Sequence, residues 1–197
     1  VMNENYEHPE MPQGAEEGIK RGMYLLQEDE KATVQLMGSG VILREVIKAG
    51  QILRDEYQIH SNVWSVTSFN ELARDGMACE EYNRLHPLTE NAKQSWVAQQ
   101  LIGKEGIVVS ATDHMRAYSE QIRGYLPDNR PFVALGTDGY GRSDTRGNLR
   151  SYFGVDAAHI VVATLKKLAD EGEVDARLVK DAISSFELDT DRPVAWL

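Results

Sequence analysis

Two stretches of the chain carry residues that could do chemistry. In "VTSFNELARDG", Glu71 and Asp75 stand four apart and Arg74 stands three from Glu71, spacings that place them on one face of a helix. Two carboxylates beside an arginine are the material of acid–base work, of a surface ion network or of a subunit contact. With no nucleophile or cofactor motif nearby, the contact is the favoured reading. The second stretch is "LGTDGYGRSDTRGNLRSYFGVD", where Gly136, Gly139 and Gly141 precede Arg142, Asp144 and Arg146. Its glycine spacing matches neither a P-loop nor a dinucleotide turn. Asp138 and Asp144 do not fit a calcium loop, and they lie too far apart in a loop to argue as an acid–base pair. Arg142, Arg146 and Arg150 are spaced by four, so on a helix they would share a face and meet an anion or a carboxylate-rich partner. These residues alone leave the loop open between an anion site and an interface.

A third candidate is "MGSG", Met37 to Gly40, at the junction of a strand pattern and a strong helix pattern. Helix N-termini at the carboxyl ends of parallel strands present free N–H groups to anions, so Ser39 could sit in a phosphate or carboxylate cradle. Against that, the dinucleotide fingerprint G-x-G-x-x-G is absent because position 43 is Leu, and a tight strand-to-helix turn accounts for the glycines. Ser39 is not a nucleophile of the G-x-S-x-G kind, since Met37 stands where a glycine is needed. The five histidines are scattered and none forms H-E-x-x-H. Cys79, the single cysteine, excludes an intrachain disulfide. Its acidic neighbours disfavour a thiolate, so it reads as structural.

The elements that must position these residues follow from the apolar pattern. Strand-like runs are "MYLLQ", "KATVQLMGSG", "NVWSVTS", "GIVVSAT" and "PFVALGT". Between them lies an amphipathic helix from Val41 to about Tyr57, with Ile42, Val46, Ala49, Leu53 and Tyr57 on one face. A second helix, "FNELARDGMACEEYNRL", is interrupted by Gly76 and broken at His86-Pro87. A short helix, "KQSWVAQQL", follows, and then another in "MRAYSEQIRGYL", ending before Pro127. Two helices close the chain: Asp156 caps one that ends at Gly172, and Asp175 caps the other. Alternating short apolar strands and helices imply one three-layer α/β/α domain on a mostly parallel sheet of about five strands. Residues 1–18, with Pro9, Pro12 and Gly14, read as an extended arm from a preceding domain, and 19–197 as a single domain.

Composition removes several classes of function. With 21 basic against 31 acidic residues the net charge is −10 and no basic cluster stands out, which argues against a nucleic-acid binder. No apolar run approaches the roughly 20 residues that span a bilayer, and no signal peptide opens the chain. A cytoplasmic protein is expected. The chain opens on Val1 rather than Met, which leaves open a cut from something longer.

"GSGVILREVIKAGQIL", "VWSVTSFNELARDG" and "LGTDGYGRSDTRGNLRSYFGVDAAHIVVATL", in this order, resemble the C-terminal domain of the homodimeric pyruvate dehydrogenase E1 components of bacteria. "NENYEHPEMPQGAEEGI" resembles the segment leading into that domain. The resemblance implies a large three-domain chain that uses thiamine diphosphate and Mg²⁺ to decarboxylate pyruvate and reductively acetylate the lipoyl group of the E2 acetyltransferase. It also implies a transketolase-like C-terminal domain whose mixed sheet has one antiparallel strand, a place "MYLLQ" would suit. The family's cofactor motif, G-D-G followed by N-N, is missing here. Also missing are matches to its activating glutamate and active-site histidines, which belong to the upstream domains. The resemblance therefore implies no catalytic residue, no bound cofactor and no metal in this segment. It implies packing against the upstream domains and the second subunit of a homodimer, with Ser39, Glu71, Arg74, Asp75, Asp138, Arg142, Asp144 and Arg146 at an interface or the active-site mouth. The alternatives are a free-standing anion- or nucleotide-binding module, a docking domain for E2, and the C-terminal domain of a transketolase or another 2-oxoacid dehydrogenase.

Overall fold

The computed structural model describes residues 10–195. Half of the expected arm, residues 1–9, lies outside the described residues, and the arm's last three residues, 16–18, open helix α1 (Glu16–Arg21). Five strands follow among the described residues: β1 (Met23–Gln27), β2 (Val34–Ser39), β3 (Ser61–Val66), β4 (Ile107–Ala111) and β5 (Phe132–Leu135). They form one sheet in the order β1-β3-β2-β4-β5. β3, β2, β4 and β5 pair in parallel, and "MYLLQ", as β1, runs antiparallel beside β3. The parallel part is what the apolar pattern implied, and the one antiparallel strand is what the family resemblance implied.

Helices cover both faces because the strands are apolar on both. Alternate residues point to opposite sides: Val34 and Leu36 of β2, with Val109 of β4, meet one core, while Met37 and Trp64 meet the other. The first core is closed by α2 (Leu43–Tyr57), α7 (Ala157–Asp170) and α8 (Ala176–Ser185). Ile42, Val46, Ala49 and Leu53, the expected apolar face, are almost fully buried there. The second core is closed by α3 (Phe69–Leu85), α4 (Trp96–Leu101) and the segment beyond α5 (Arg116–Glu120). Caps sit where the residue types asked for them. The carboxylate of Asp156 accepts from His159 N at 3.0 Å, that of Asp175 accepts from Arg177 N at 2.8 Å, and Gly172 is left-handed at φ 79°. No helix among the described residues is long and apolar enough to cross a membrane.

Two expectations need correction. "MRAYSEQIRGYL" is not one helix: α5 stops at Glu120, and a 3₁₀ turn over Arg123–Tyr125 replaces its second half. Gly124, a poor helix former, sits in that turn, and Arg123 is drawn to the sheet by donating to the Phe132 carbonyl at 3.0 Å. Gly76 likewise does not interrupt α3, which runs unbroken from Phe69 to Leu85. It is there because the Tyr125 ring lies on the helix, and a Cβ at position 76 would meet ring atoms at 2.4–2.7 Å.

The competing terms at Gly76 can be weighed. Alanine would gain about 1 kcal/mol of helix propensity, whereas overpacking against a ring costs about 1–3 kcal/mol. Gly76→Ala is therefore expected to destabilise the protein by up to about 2 kcal/mol, measured by urea unfolding; a stabilised variant would show that the Tyr125 ring yields freely.

Candidate functional site

In a parallel sheet, ligands are met at the carboxyl ends of the strands, where connections of neighbouring strands diverge. Here β2 leads into α2 on the first face, while its neighbour β4 leads toward α5, which packs on β5 and α3 on the other. At that divergence lies a cleft of about 510 Å³. Val41 and Ile42, just past β2, form one wall, and Asp113 and Thr137 sit at the ends of β4 and β5. Arg142, Arg146 and Arg150 face it from the loop and from α6 (Arg146–Phe153), with Leu149, Phe153 and Val155 adding apolar surface.

The loop is tied at both ends. At its start the β4–β5 ladder continues past the strands: Thr112 N donates to Leu135 O at 3.1 Å and Thr137 N to His114 O at 2.9 Å. The Thr137 hydroxyl also donates to the Asp113 carbonyl. Asp138 accepts from Arg116 N at 3.1 Å and from the Arg116 guanidinium. At the far end Thr145 caps α6, and the Asp144 carboxylate accepts from Thr145 N at 2.6 Å and Asn148 Nδ2 at 2.9 Å. Because α6 begins only at Arg146, Arg142 does not share its helical face. It reaches the same cleft from the loop, with its guanidinium 5.5 Å over the Tyr152 ring.

Behind the arginines is a residue that the sequence reading missed. Glu45 of α2 is buried, and its carboxylate accepts from Arg150 Nη1 at 2.9 Å and Ala157 N at 3.2 Å. A glutamate in the first turn of an amphipathic helix normally faces water, so only the presence of an arginine in "GNLRSYF" could have hinted at the pair. Asp156 stands next to it at the start of α7. Burial alone would raise its pKa, but hydrogen bonds from the His159 side chain and backbone, with charges on His159 and Arg192, bring it below the ordinary 3.8.

The other candidate residues lie apart from the cleft. The "MGSG" glycines serve the turn: a Cβ on Gly38 would press on Leu43 Cα at 2.7 Å, and Gly40 is left-handed at φ 56°. Ser39 lines a separate small hollow with Thr67, Asn70, His114 and Tyr118. On α3 the triad divides. Glu71 pairs outward with Arg74 at 3.1 Å, while Asp75 turns to Arg21 at 3.2 Å and to Trp96 N at 2.5 Å. Asp75 thus joins α1, α3 and α4 and is not poised as an acid or base. Burial pushes the Cys79 thiol up, and Asp75 adds to the shift, so no activated nucleophile forms there.

This fold has known relatives. Residues 22–156 match the transketolase-like TK C-terminal domain, and the chain belongs to that family. A transketolase structure from Pichia stipitis, in complex with sedoheptulose-7-phosphate, superposes with a TM-score of 0.54 at 14% identity, covering 79% of this chain and 19% of that one. One from Campylobacter jejuni gives 0.50 at 19% identity, over 75% of this chain and 19% of that one. These likenesses carry the fold. In sequence, the pyruvate dehydrogenase E1 component of Pseudomonas aeruginosa is 51% identical over 195 residues, covering 98% of this chain and 22% of that protein. That of Escherichia coli K12 is 50% identical over 194 residues, covering 98% and 21%. The chain thus spans about a fifth of the length of the curated relatives it matches.

Two outcomes test this geometry. Glu45→Ala strands Arg150 and the first N–H of α7; breaking a buried pair costs about 3–5 kcal/mol, reduced here to about 2–3 kcal/mol because Arg150 keeps some contact with water. Denaturant titration checks it, and a loss below about 0.5 kcal/mol would mean that the tie is incidental. At Asp156 the folded pKa lies below the unfolded one. Its charge therefore stabilises the fold above the ordinary carboxyl value, and that contribution is lost as pH falls through the lowered folded pKa. Asp156→Ala should cost about 1 kcal/mol at neutral pH. The gap from the unmutated protein should narrow in acid below the ordinary value, whereas a gap independent of pH would contradict a charged cap.

Proposed function

We propose that this chain is the C-terminal domain of a pyruvate dehydrogenase E1 component, an oxidoreductase subunit that decarboxylates pyruvate and passes the acetyl group, reductively, to the lipoyl group of an E2 acetyltransferase. The observation that carries the reading is identity at about half of all positions across 98% of the chain to proteins of that name. The cleft adds no competing chemistry, since its side chains include neither an activated nucleophile nor an acid–base pair. In this reading residues 19–197 are the domain, residues 1–18 the arm from the domain before it, and the setting is a cytoplasmic homodimer within a multienzyme complex.

Thiamine diphosphate with Mg²⁺ supplies the carbanion chemistry of such an enzyme when bound. Among the described residues no group of three or more His, Cys, Asp or Glu side chains is placed to hold a metal ion, and in this reading the magnesium site belongs to the upstream domains. The remaining four-fifths of the full-length protein holds it, and this chain contributes packing. The outward charges Glu71, Arg74 and Asp144 face neighbouring domains or the second subunit, Asp75 braces α3 behind them, Asp138 holds the loop through Arg116 at that interface, and Ser39, Arg142 and Arg146 lie at the active-site mouth. Tyr140 supports this placement: it is 82% exposed at the loop tip, and exposed aromatics of that kind serve as interface anchors.

The test is pyruvate-dependent reductive acetylation of a lipoyl domain by the full-length protein with thiamine diphosphate and Mg²⁺. Turnover with pyruvate is expected; turnover with ketose phosphates instead would move the protein to the transketolases. Tyr140→Ala should raise the dimer dissociation constant at least about tenfold, read by analytical ultracentrifugation, and an unaltered dimer would remove the loop from the interface.

A further inference from the structure

Beyond α8 the chain turns back on the domain. Glu187 takes the left-handed conformation at φ 52°. Glu187 N and Leu188 N donate to Ser184 O and Ile183 O, each at 3.1 Å, so the backbone reverses as it leaves the helix. The Asp189 carboxylate then accepts from Asp191 N at 2.9 Å, making a second local turn. Past these turns Arg192 reaches the carboxyl end of α6. Its Nη1 donates to Ser151 O at 2.5 Å and to Tyr152 O at 3.4 Å, carbonyls in the last turn, where a helix runs out of partners of its own.

The seat of that guanidinium is shaped on two sides. Gly154 is the left-handed cap of α6, and a Cβ there would stand 2.8 Å from Arg192 Nη2. A cation is favoured at this end of a helix by the dipole. On the other side Asp156 caps α7, and the charge of Arg192 is among the causes that lower its pKa. One cation thus serves the negative end of α6 and the carboxylate that opens α7.

Both segments joined here are weakly held elsewhere. No residue of α6 is buried, and none of residues 187–195 is buried. A helix of 8 residues does not persist on its own propensity. Elements with few buried apolar groups are the first to open in a folded protein. Leu149, Arg150 and Phe153 of α6 line the cleft, so an opening of α6 takes one wall of the cleft with it.

We propose that residues 187–195 form a strap, latched by Arg192, that controls the order of α6 and hence of the cleft wall it provides. Release of the latch loosens α6 while α2, α7 and the sheet stay folded. The device goes beyond the proposed function and stands without it. Its test reads local opening, so loss of pyruvate turnover would not bear on it, and its failure would leave the enzyme reading intact.

The test is hydrogen–deuterium exchange, read by mass spectrometry on the full-length protein and on its Arg192→Ala, Arg192→Lys and Arg177→Ala variants. In Arg192→Ala the amides of residues 149–155 are expected to exchange at least about tenfold faster. Arg192→Lys keeps the charge but loses the fork, so a smaller acceleration is expected there. Exchange in α2 and the strands should stay as in the unaltered protein. Arg177→Ala, which removes an exposed arginine of α8, should match that protein throughout. Unaltered exchange over 149–155 in Arg192→Ala would overturn the strap, as would the same local acceleration in Arg177→Ala. Equal acceleration across α2, α7 and the sheet would overturn it too, because Arg192 would then support the whole domain. Should Arg192→Ala fail to fold, Arg192→Lys carries the same comparison.

Discussion

One buried carboxylate holds the carboxyl edge of the sheet together. Glu45 reaches from α2 to Arg150 of α6 and to the first N–H of α7. A buried carboxylate is costly unless it is paired and hydrogen-bonded. Glu45 has both partners, and one of them lies at the positive end of a helix dipole. Helix α2 follows β2, and α6 and α7 follow the glycine-rich loop, so the single group joins chain segments 105 residues apart. Without it α6 would lose its charged tie to α2 and keep only the packing of Phe153 and Val155 and the bonds from Arg192 to the Ser151 and Tyr152 carbonyls.

The opposite end of the sheet is held by polar atoms of a different kind. The Gln35 side chain accepts from Trp64 Nε1 at 2.9 Å and Asn62 Nδ2 at 3.2 Å and donates to the Glu105 carbonyl at 2.9 Å. Asn62 in turn accepts from Asp29 N at 2.8 Å. This buried network closes on itself, with its groups partnered within the fold. A fully satisfied network rigidifies and offers nothing to a ligand. The two edges of one sheet therefore divide the labour: the amino edge spends its polar groups on register, and the carboxyl edge leaves cationic groups at an open cleft.

How much of this was legible in the sequence depended on whether the signal was local. The five strands, the apolar face of α2 and the caps at Asp156 and Asp175 follow from periodicity and side-chain chemistry within a few residues. The antiparallel place of β1 came from the family resemblance, since periodicity does not distinguish strand direction. Gly76 misled because a helix glycine looks the same whether it breaks the helix or admits a ring from 49 residues away. Glu45 and Gln35 were invisible for the same reason: their partners lie far along the chain. The arginines at 142, 146 and 150 were noticed through a spacing that proved incidental, as α6 begins at Arg146. They meet because a loop and a helix turn toward one cleft.

That convergence bears on why the arginines are where they are. An acidic surface gains solubility from its charge but repels anionic ligands, so three arginines at one cleft are a local exception. Arg150 is paired by a carboxylate already buried, Arg142 rests on an aromatic face, and Arg146 opens a helix whose cap is a neutral threonine. Arginine at a helix N-terminus opposes the dipole and is unfavourable by a few tenths of a kcal/mol. An acidic residue there would have suited the dipole better and removed a positive charge from the cleft lining.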